Sequence, residues 1–380
     1  MSGGVLFWVQ HLLGSGHLRR IAALARASAA EGLETTLVSG GMPLSHLDTG
    51  AARLVQLPPL RAGDAGFRTM VDDQGNPADA ALLARRRTML EELVAQVLPG
   101  VLVTETFPFG RRSLRAEVLA LLDAAGRLPR PPLIVASVRD ILQREIRPDR
   151  IATMLEIAQQ RYDAVLVHGD PALVRLEESF PAASLLGERV IHTGYVADVR
   201  EVPRGPGAPG SDEVIVSVGG GAVGLRLLET AAAARPLSRL AAGRTWRLLL
   251  GDGRLSAHGL AAQPGLVVGP NRTDFATLLA NCAVSISQAG YNTATDLFAA
   301  GARAVLVPYA AGGETEQGDR ARCLAAHGMA TVVPEEILDA ASLAAAVDAA
   351  LALPRPVRGT IDLSGATASA QLFAGWVRHG

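Results

Sequence analysis

Val214-Ile-Val-Ser-Val-Gly-Gly-Gly-Ala-Val-Gly224 is a largely apolar run that breaks into glycines and then into a helical pattern through Leu225–Ala234. The amino-terminal stretch Val5-Leu-Phe-Trp-Val-Gln-His-Leu-Leu-Gly-Ser-Gly-His17 has the same plan, with Leu18, Ile21, Ala22, Leu24 and Ala25 at helical spacing behind it. Continuous Val, Ile and Leu suit a strand covered on both faces, and strand, glycine corner and helix form the repeating unit of a doubly wound parallel sheet. Working outward, the first stretch heads a series of strands at Thr35–Ser39, Arg53–Leu57, Val101–Thr104, Leu133–Val138, Ala164–His168 and Val190–Thr193. The second heads Arg247–Leu250, Leu266–Val268, Ala283–Ser287, Ala304–Val307 and Ala330–Val333. Two such series predict an α/β chain of two Rossmann-like, doubly wound domains.

Between them, Val202-Pro-Arg-Gly-Pro-Gly-Ala-Pro-Gly-Ser211 cannot sustain helix or ladder, so the linker is expected at 201–212. That gives an amino-terminal domain over 1–200, a carboxy-terminal domain over 213–355, and a last segment, 356–380, that reads as helical over Leu363–Val377. Leu60–Asp79 breaks the rhythm; it reads as a surface loop or a mobile flap.

A length of 380 residues suits two domains, and 49% hydrophobic against 19% charged residues excludes wholesale disorder. Basic and acidic residues number 36 and 37, so the chain lacks the surplus a nucleic-acid binder needs. Every basic residue is Arg; the absence of Lys removes Schiff-base chemistry and the Walker A lysine. Cys282 and Cys323 form no paired motif and weigh against a structural zinc site. The start lacks a basic signal-peptide region, and no run of 18 apolar residues occurs. These features predict a cytoplasmic protein with at most peripheral membrane contact. Arg85-Arg-Arg87 reads as a solvated helix face, with attraction to an anionic membrane as the lesser reading.

Chemistry is expected where strands end. Gly16 and His17 open a helix, where backbone N–H groups and the helix dipole favour an anion and disfavour a charged imidazole. A neutral His17 facing a cleft suits a general base; capping or packing the loop is the plainer role. Gly219-Gly220-Gly221 can fold into a nest of amides around phosphate. Two such corners, one per domain, suggest a shared cleft with amides on both walls. Gly269–Asp274, with Thr273 as the expected N-cap, and Ser287–Thr293, with Gly290, Asn292 and Thr293, follow later strands. Asp296 and Glu316 are carboxylates suited to the diols of a ribose or sugar. In the first domain, Glu105, Arg111, Arg139 and Asp140 lie at strand ends, either to bind a polar or phosphorylated acceptor or as a local structural pair.

Asn271-Arg-Thr-Asp-Phe275, Ser287-Gln-Ala-Gly-Tyr-Asn-Thr293, Asp296, Pro308, Glu314-Thr-Glu-Gln317 and Arg320-Ala321 together resemble the carboxy-terminal domain of the MurG-like glycosyltransferases, family 28 with the GT-B fold. His17-Leu-Arg-Arg20, Ser137-Val-Arg-Asp-Ile-Leu142 and His168-Gly-Asp-Pro171 are similar to a branch of bacterial predicted glycosyltransferases. The resemblance implies that two such domains face each other across the cleft. It implies that Gly220 and Gly221 lie by the diphosphate of a nucleotide-sugar donor, and that the backbone at Arg272 meets a uracil base. It implies Asp296 at the ribose, Glu316 and Gln317 on the sugar hydroxyls, and His17 as base or diphosphate contact. It also implies that the last helix returns to the first domain. Three departures stand out: Asp296 is one carbon shorter than the family's Glu, Leu13-Gly14 stands where the family has a double-Gly start, and Gly219-Gly-Gly221 replaces a Gly-Gly-Ser turn.

The expected function is therefore transfer of a hexosyl or N-acetylhexosaminyl group from a UDP-sugar to a small-molecule, glycan or lipid-linked acceptor. The resemblance implies inversion. No metal or cofactor is expected beyond the co-substrate, since no paired Asp motif ends a strand. A nucleotide-sugar hydrolase or epimerase, and a non-catalytic nucleotide-sugar-binding regulator, are the alternatives.

Overall fold

The computed structural model describes residues 3–12, 14–63, 69–218, 224–251 and 263–379. Contacts divide the chain into two units, Met1–Val196 with Ser364–Gly380, and Ala197–Leu363. The Pro- and Gly-rich stretch expected as the linker thus falls inside the second unit. Its conformation is fixed there: Arg204 donates to the carbonyls of Ala280 and Ala300, and the Gly205 amide to Asn281.

The first unit runs β1 (Val5–Val9), α1 (Gly16–Ala30), β2 (Thr35–Ser39), β3 (Arg53–Gln56), β4 (Arg61–Ala62), β5 (Met70–Val71), α2 (Ala80–Val97), β6 (Val101–Glu105), α3 (Arg115–Gly126), β7 (Leu133–Arg139), α4 (Pro148–Arg161), β8 (Ala164–His168), α5 (Leu176–Ser179) and β9 (Val190–His192). Its parallel sheet has the order β3-β2-β1-β6-β7-β8-β9, so the winding reverses between β1 and β6. All five residues of β1 are buried, because alternate side chains serve two cores. Leu6 and Trp8 pack with α2 and α3, while Val5, Phe7 and Val9 pack with α1.

The described ends of the Leu60–Asp79 insertion form an antiparallel pair, Arg61↔Val71 and Ala62↔Met70, instead of irregular loop. Asp72 closes the next turn by accepting from the Gln74 and Asn76 amides.

In the second unit come β10 (Val214–Ser217), α6 (Leu225–Ala234), β11 (Trp246–Leu249), β12 (Leu266–Gly269), α7 (Phe275–Asn281), β13 (Val284–Ser287), α8 (Tyr291–Ala300), β14 (Ala304–Leu306), α9 (Glu316–Ala326), β15 (Thr331–Val332) and α10 (Ala340–Ala352). All its strands run parallel, in the order β12-β11-β10-β13-β14-β15, with reversal between β10 and β13. α7 starts one residue later than expected, with Asp274 rather than Thr273 at the N-cap.

The last helix, α11 (Gly365–His379), belongs to the first unit and packs on α1, with Phe373 edge-on to Phe7 at 5.7 Å. Its entry requires glycine: a Cβ on Gly365 would sit 2.3 Å from the Gly194 carbonyl oxygen.

Arg86 corrects the reading of Arg85–Arg87 as a solvated face. It is fully buried. Its guanidinium donates to both oxygens of Glu117 at 2.7 and 2.9 Å, to Gln10 at 2.8 Å, and to the Gly40 and Pro58 carbonyls. Trp8 adds a bond to the same carboxylate. A charge buried this deeply persists only when paired and fully hydrogen-bonded, and both conditions are met.

Candidate active site

In the first unit the site lies where the winding reverses, at the carboxyl ends of β1, β6 and β7, the usual ligand edge of such sheets. β1 leads through the glycine corner to His17 in the first turn of α1; Glu105 is the last residue of β6, and Arg139 the last of β7. Glu105 pairs in register with Ser137, so Arg139 lies two residues beyond it on the neighbouring strand.

These side chains converge. His17 Nδ1 lies 2.5 Å from Glu105 Oε1, and Arg139 Nη2 lies 2.6 Å from His17 Nε2. A guanidinium only donates, so Nε2 accepts and Nδ1 carries the proton donated to Glu105. His17 is thus the neutral imidazole expected, with its tautomer fixed from both sides. Burial pushes its pKa down to about 3, and the Arg139 charge adds to this. The cause is therefore chiefly burial rather than the helix terminus.

Glu105 is fully buried and carries four interactions on two oxygens. Arg20 Nη2 lies at 2.6 Å, Thr106 Oγ1 at 2.5 Å, and Arg111 Nη2 at 3.4 Å, besides His17. Burial alone would raise its pKa; the His17 N–H and the Arg111 and Arg20 guanidiniums outweigh that and hold the carboxyl well below its ordinary range. Thr106 (φ 64°) and Arg111 (φ 59°) adopt left-handed backbone, sparse for non-glycine residues, and so hold the turn that aims Arg111 at Glu105.

Two expectations change here. Glu105, expected among the acceptor contacts, is fully buried against His17, Arg20 and Arg111. Asp140 is fully buried and accepts from the Tyr195 hydroxyl at 3.0 Å, which removes it from any acceptor surface. Arg20 is the residue that sequence reasoning missed. It lies one helical turn after His17, on the same face of α1, and that spacing was the available signal. Beneath the site, His168 bonds Ser137 and Thr193, both at 2.8 Å, in a fully buried relay.

In the second unit the corresponding corner, with Gly220 and Gly221, lies outside the described residues. The neighbouring loops are described. Gln317 Oε1 accepts from the Ala289 amide at 3.1 Å and the Tyr309 amide at 3.2 Å, tying the loop after β13 to that after β14. Arg320, almost fully buried, donates to the Ala289 carbonyl and to Glu316, and lies over the Tyr291 ring. Gly290, Glu316 and Gln317 are thereby brought together. Glu314 accepts from the Glu316 and Gln317 amides, so α9 begins on a carboxylate of its own chain.

α8 begins differently. Gly290 is its N-cap, with no side-chain bond to the helix. Among the described residues, a Cβ there would meet nothing nearer than Thr293 Oγ1 at 3.8 Å, so none of them requires glycine at this position. Asn292, Thr293 and the half-buried Asp296 follow on α8. Arg272, after β12, forms a two-pronged pair with Asp274 at 2.8 and 2.7 Å. No group of three or more His, Cys, Asp or Glu suited to a metal occurs among the described residues. No described helix is long and apolar enough to cross a membrane.

The fold, two units of parallel sheet between helices, is that of the GT-B glycosyltransferases. The calicheamicin glycosyltransferase CalG4 aligns over 100% of this chain and 94% of its own, with TM-score 0.62 and 17% identity. Acinetobacter baumannii MurG aligns over 99% and 95%, with TM-score 0.58 and 14% identity. Residues 263–356 match the glycosyltransferase family 28 C-terminal domain. A curated relative from Methylibium petroleiphilum, named UDP-N-acetylglucosamine–N-acetylmuramyl-(pentapeptide) pyrophosphoryl-undecaprenol N-acetylglucosamine transferase, is 33% identical over 43% of this chain and 47% of its own length. The chain therefore spans about half the length of that relative. The likeness to family 28 is thus carried by residues 263–356 and the likeness to the curated relative by part of each chain.

Proposed function

We propose that the protein transfers a hexosyl or N-acetylhexosaminyl group from a UDP-sugar to an acceptor hydroxyl, with His17 as general base and Glu105 as its positioning partner. The observation that carries this reading is the His17 Nδ1–Glu105 contact of 2.5 Å at the ligand edge of the first unit. It orients an imidazole whose Nε2 can take a proton, and imidazolium formed there is stabilised by the carboxylate. The matched family domain and the relative named for a UDP-N-acetylglucosamine transfer support the donor class.

In the step itself, the acceptor O–H gives its proton to His17 Nε2 as the oxygen attacks the anomeric carbon. The bond to the β-phosphate breaks with its electron pair, and the nucleoside diphosphate leaves. A single displacement inverts the carbon. The donor would lie on the second unit, its diphosphate on the Gly219–Gly221 corner and the α8 start at Gly290, with no metal or further cofactor required. Asp296 would hold the ribose, the backbone at Arg272 the base, and Glu316 with Gln317 the sugar hydroxyls. Arg139 and Arg111 are the first unit's acceptor contacts. The acceptor would be a small molecule, a glycan or a lipid-linked sugar, met in the cytoplasm or at its membrane face.

A panel of UDP- and dTDP-sugars with the purified chain tests this, reading nucleotide release with and without candidate acceptors. Release that depends on an acceptor, and on His17, supports transfer. Steady release of free sugar without an acceptor supports the hydrolase reading. Tight donor binding with no product from any extract supports a binding regulator.

A further inference from the structure

Between the start of α3 and the first turns of α4, the first unit has a cavity of about 480 Å³, a volume ordinary for a small-molecule site. Its floor is apolar. Phe107, from the turn after β6, and Met154 and Ile157, from α4, are core residues that also line it.

Its walls carry charge. Arg112 stands just before α3 and Arg115 is that helix's first residue; Arg147 is the N-cap of α4 and Arg150 lies in its first turn. A helix start is the positive end of the helix dipole, where acids are favoured and cations disfavoured. Four arginines at two such ends, lining one cavity, repel one another and both dipoles. The neighbouring carboxylates do not balance them. Glu145 is shared, accepting from Arg112 Nη1 at 2.6 Å and from Arg150 Nη1 at 3.0 Å, so each guanidinium keeps most of its N–H donors. Asp149 also lines the cavity, but its carboxylate is 3.7 Å from Arg147, beyond a hydrogen bond. Arg115 has no partner among the described residues. Four guanidiniums thus face two carboxylates. Among the described residues, none of these side chains bonds His17, Glu105 or Arg139, so the cavity is separate from that cluster.

We propose that this cavity is a second binding site in the first unit, for a small amphiphilic anion: an aryl or short alkyl body on Phe107, Met154 and Ile157, and a phosphate or carboxylate head among the four arginines. The head offsets the repulsion between the guanidiniums and takes charge-assisted bonds from forks that Glu145 already orders, so less freedom is lost on binding. The body covers the apolar floor. A bare phosphate would leave that floor wet, and a neutral aromatic would leave the charge uncompensated, so the cavity selects molecules that carry both. Binding there needs no sugar donor and does not rest on the transfer reading.

The test labels the methionine methyl groups of the full-length chain, with Met154 assigned by M154L, a swap that conserves volume. Titration with phenyl phosphate should move the Met154 signal saturably, while Met329 in the second unit stays fixed. Benzoate should act in the same way, and the tighter of the two identifies the head group. Inorganic phosphate and phenol should each bind at least about tenfold more weakly than phenyl phosphate, the scale of one buried ring or one charge-assisted bond. R115Q/R147Q, at two exposed positions, should keep the melting temperature and weaken phenyl phosphate about tenfold. A Met154 signal unmoved by millimolar phenyl phosphate overturns the site. So does equal binding of phenol, which makes the cavity a plain apolar crevice, or of inorganic phosphate, which reduces it to surface charge. Unchanged affinity in R115Q/R147Q overturns it as well. A Met154 signal that responds to phosphatidylglycerol vesicles but not to phenyl phosphate overturns it in favour of a membrane-facing patch. No arm uses a sugar donor, so the transfer reading and this site stand or fall separately.

Discussion

The ends of β1, β6 and β7 in the first unit deliver charged side chains to one point, where His17, Glu105, Arg20, Arg111 and Arg139 bond one another. The ends of β13 and β14 in the second unit deliver backbone. Gln317 and Arg320 hold two loops by their amides and carbonyls, and the helix that follows starts on a bare glycine. Both sheets reverse their winding at the same place in the strand order. One architecture thus gives two kinds of strand end: a buried cluster of bonded side chains in the first unit, and in the second, loops tied through their backbone beside a helix that starts on glycine. The contrast makes commitments that variants can break.

The largest effect belongs to the first unit's buried charge. Arg86→Met leaves Glu117 buried without its cation, and removing one partner of such a pair costs about 3–5 kcal/mol. Urea unfolding should show that loss. In the second unit the buried Asp348 accepts instead from Ser238 and the Arg239 and Leu240 amides. Asp348→Asn keeps most of that geometry and should cost less. Equal losses would erase the difference between the units.

Next comes the proton. His17→Ala should lower kcat by roughly 10²-fold or more, the scale of losing a general base, while UDP affinity measured by calorimetry stays within about twofold of wild type. A fall in UDP affinity with little change in kcat would turn His17 into a donor contact and break the division of labour.

Acid should then act through the first unit. Burial lowers the pKa of His17 to about 3 and that of His168 well below 6.5, and His11 moves the same way. The unfolded chain therefore binds protons below pH 6.5 that the folded one refuses. Stability falls as pH drops from 6.5 towards 3, and is unaffected by these groups above 6.5. For His17 the loss by pH 5 is roughly 2 kcal/mol. The unfolding free energy of His17→Gln should lose less than that of wild type between pH 7 and 5; identical slopes would deny that the imidazole is held neutral.

Much of this was legible in the residues. The strands came from continuous apolar runs, because parallel strands covered on both faces leave no polar alternation to misread. His17, Glu105, Arg111 and Arg139 were singled out by a glycine corner and by strand ends, and their side chains do lie together. What could not be read was partnership. Arg86 looked solvated because an arginine run has no visible mate, and Glu117 lies 31 residues away on another helix. Asp140 and Arg139 are neighbours in sequence, yet strand alternation turns one inward to Tyr195 and the other to His17. The antiparallel pair at 61–71 was missed because its strands are only two residues long.

The smallest effect is the sharpest on the second unit. Among the described residues, acidic side chains meet the first amides of three helices: Asp79 accepts from the Leu82 amide on α2, Glu314 from the Glu316 and Gln317 amides on α9, and Asp339 from the Ser342 amide on α10. α8 has no side-chain cap bond, and Gly290 sits at its N-cap in extended backbone (φ −65°, ψ 156°) that any residue adopts, with no described atom nearer than 3.8 Å to where a Cβ would go. Serine is a better N-cap than glycine, and its hydroxyl would satisfy an amide that glycine leaves for a ligand. Gly290→Ser should therefore hold or raise stability, by up to about 1 kcal/mol, while weakening the donor. Melting temperature and donor KM, measured on one preparation, should move in opposite senses: the first unchanged or higher, the second several-fold up. A variant more stable and equally tight for UDP would show that α8 does not meet the diphosphate. A less stable variant would show that packing, not ligand space, is why glycine stands there.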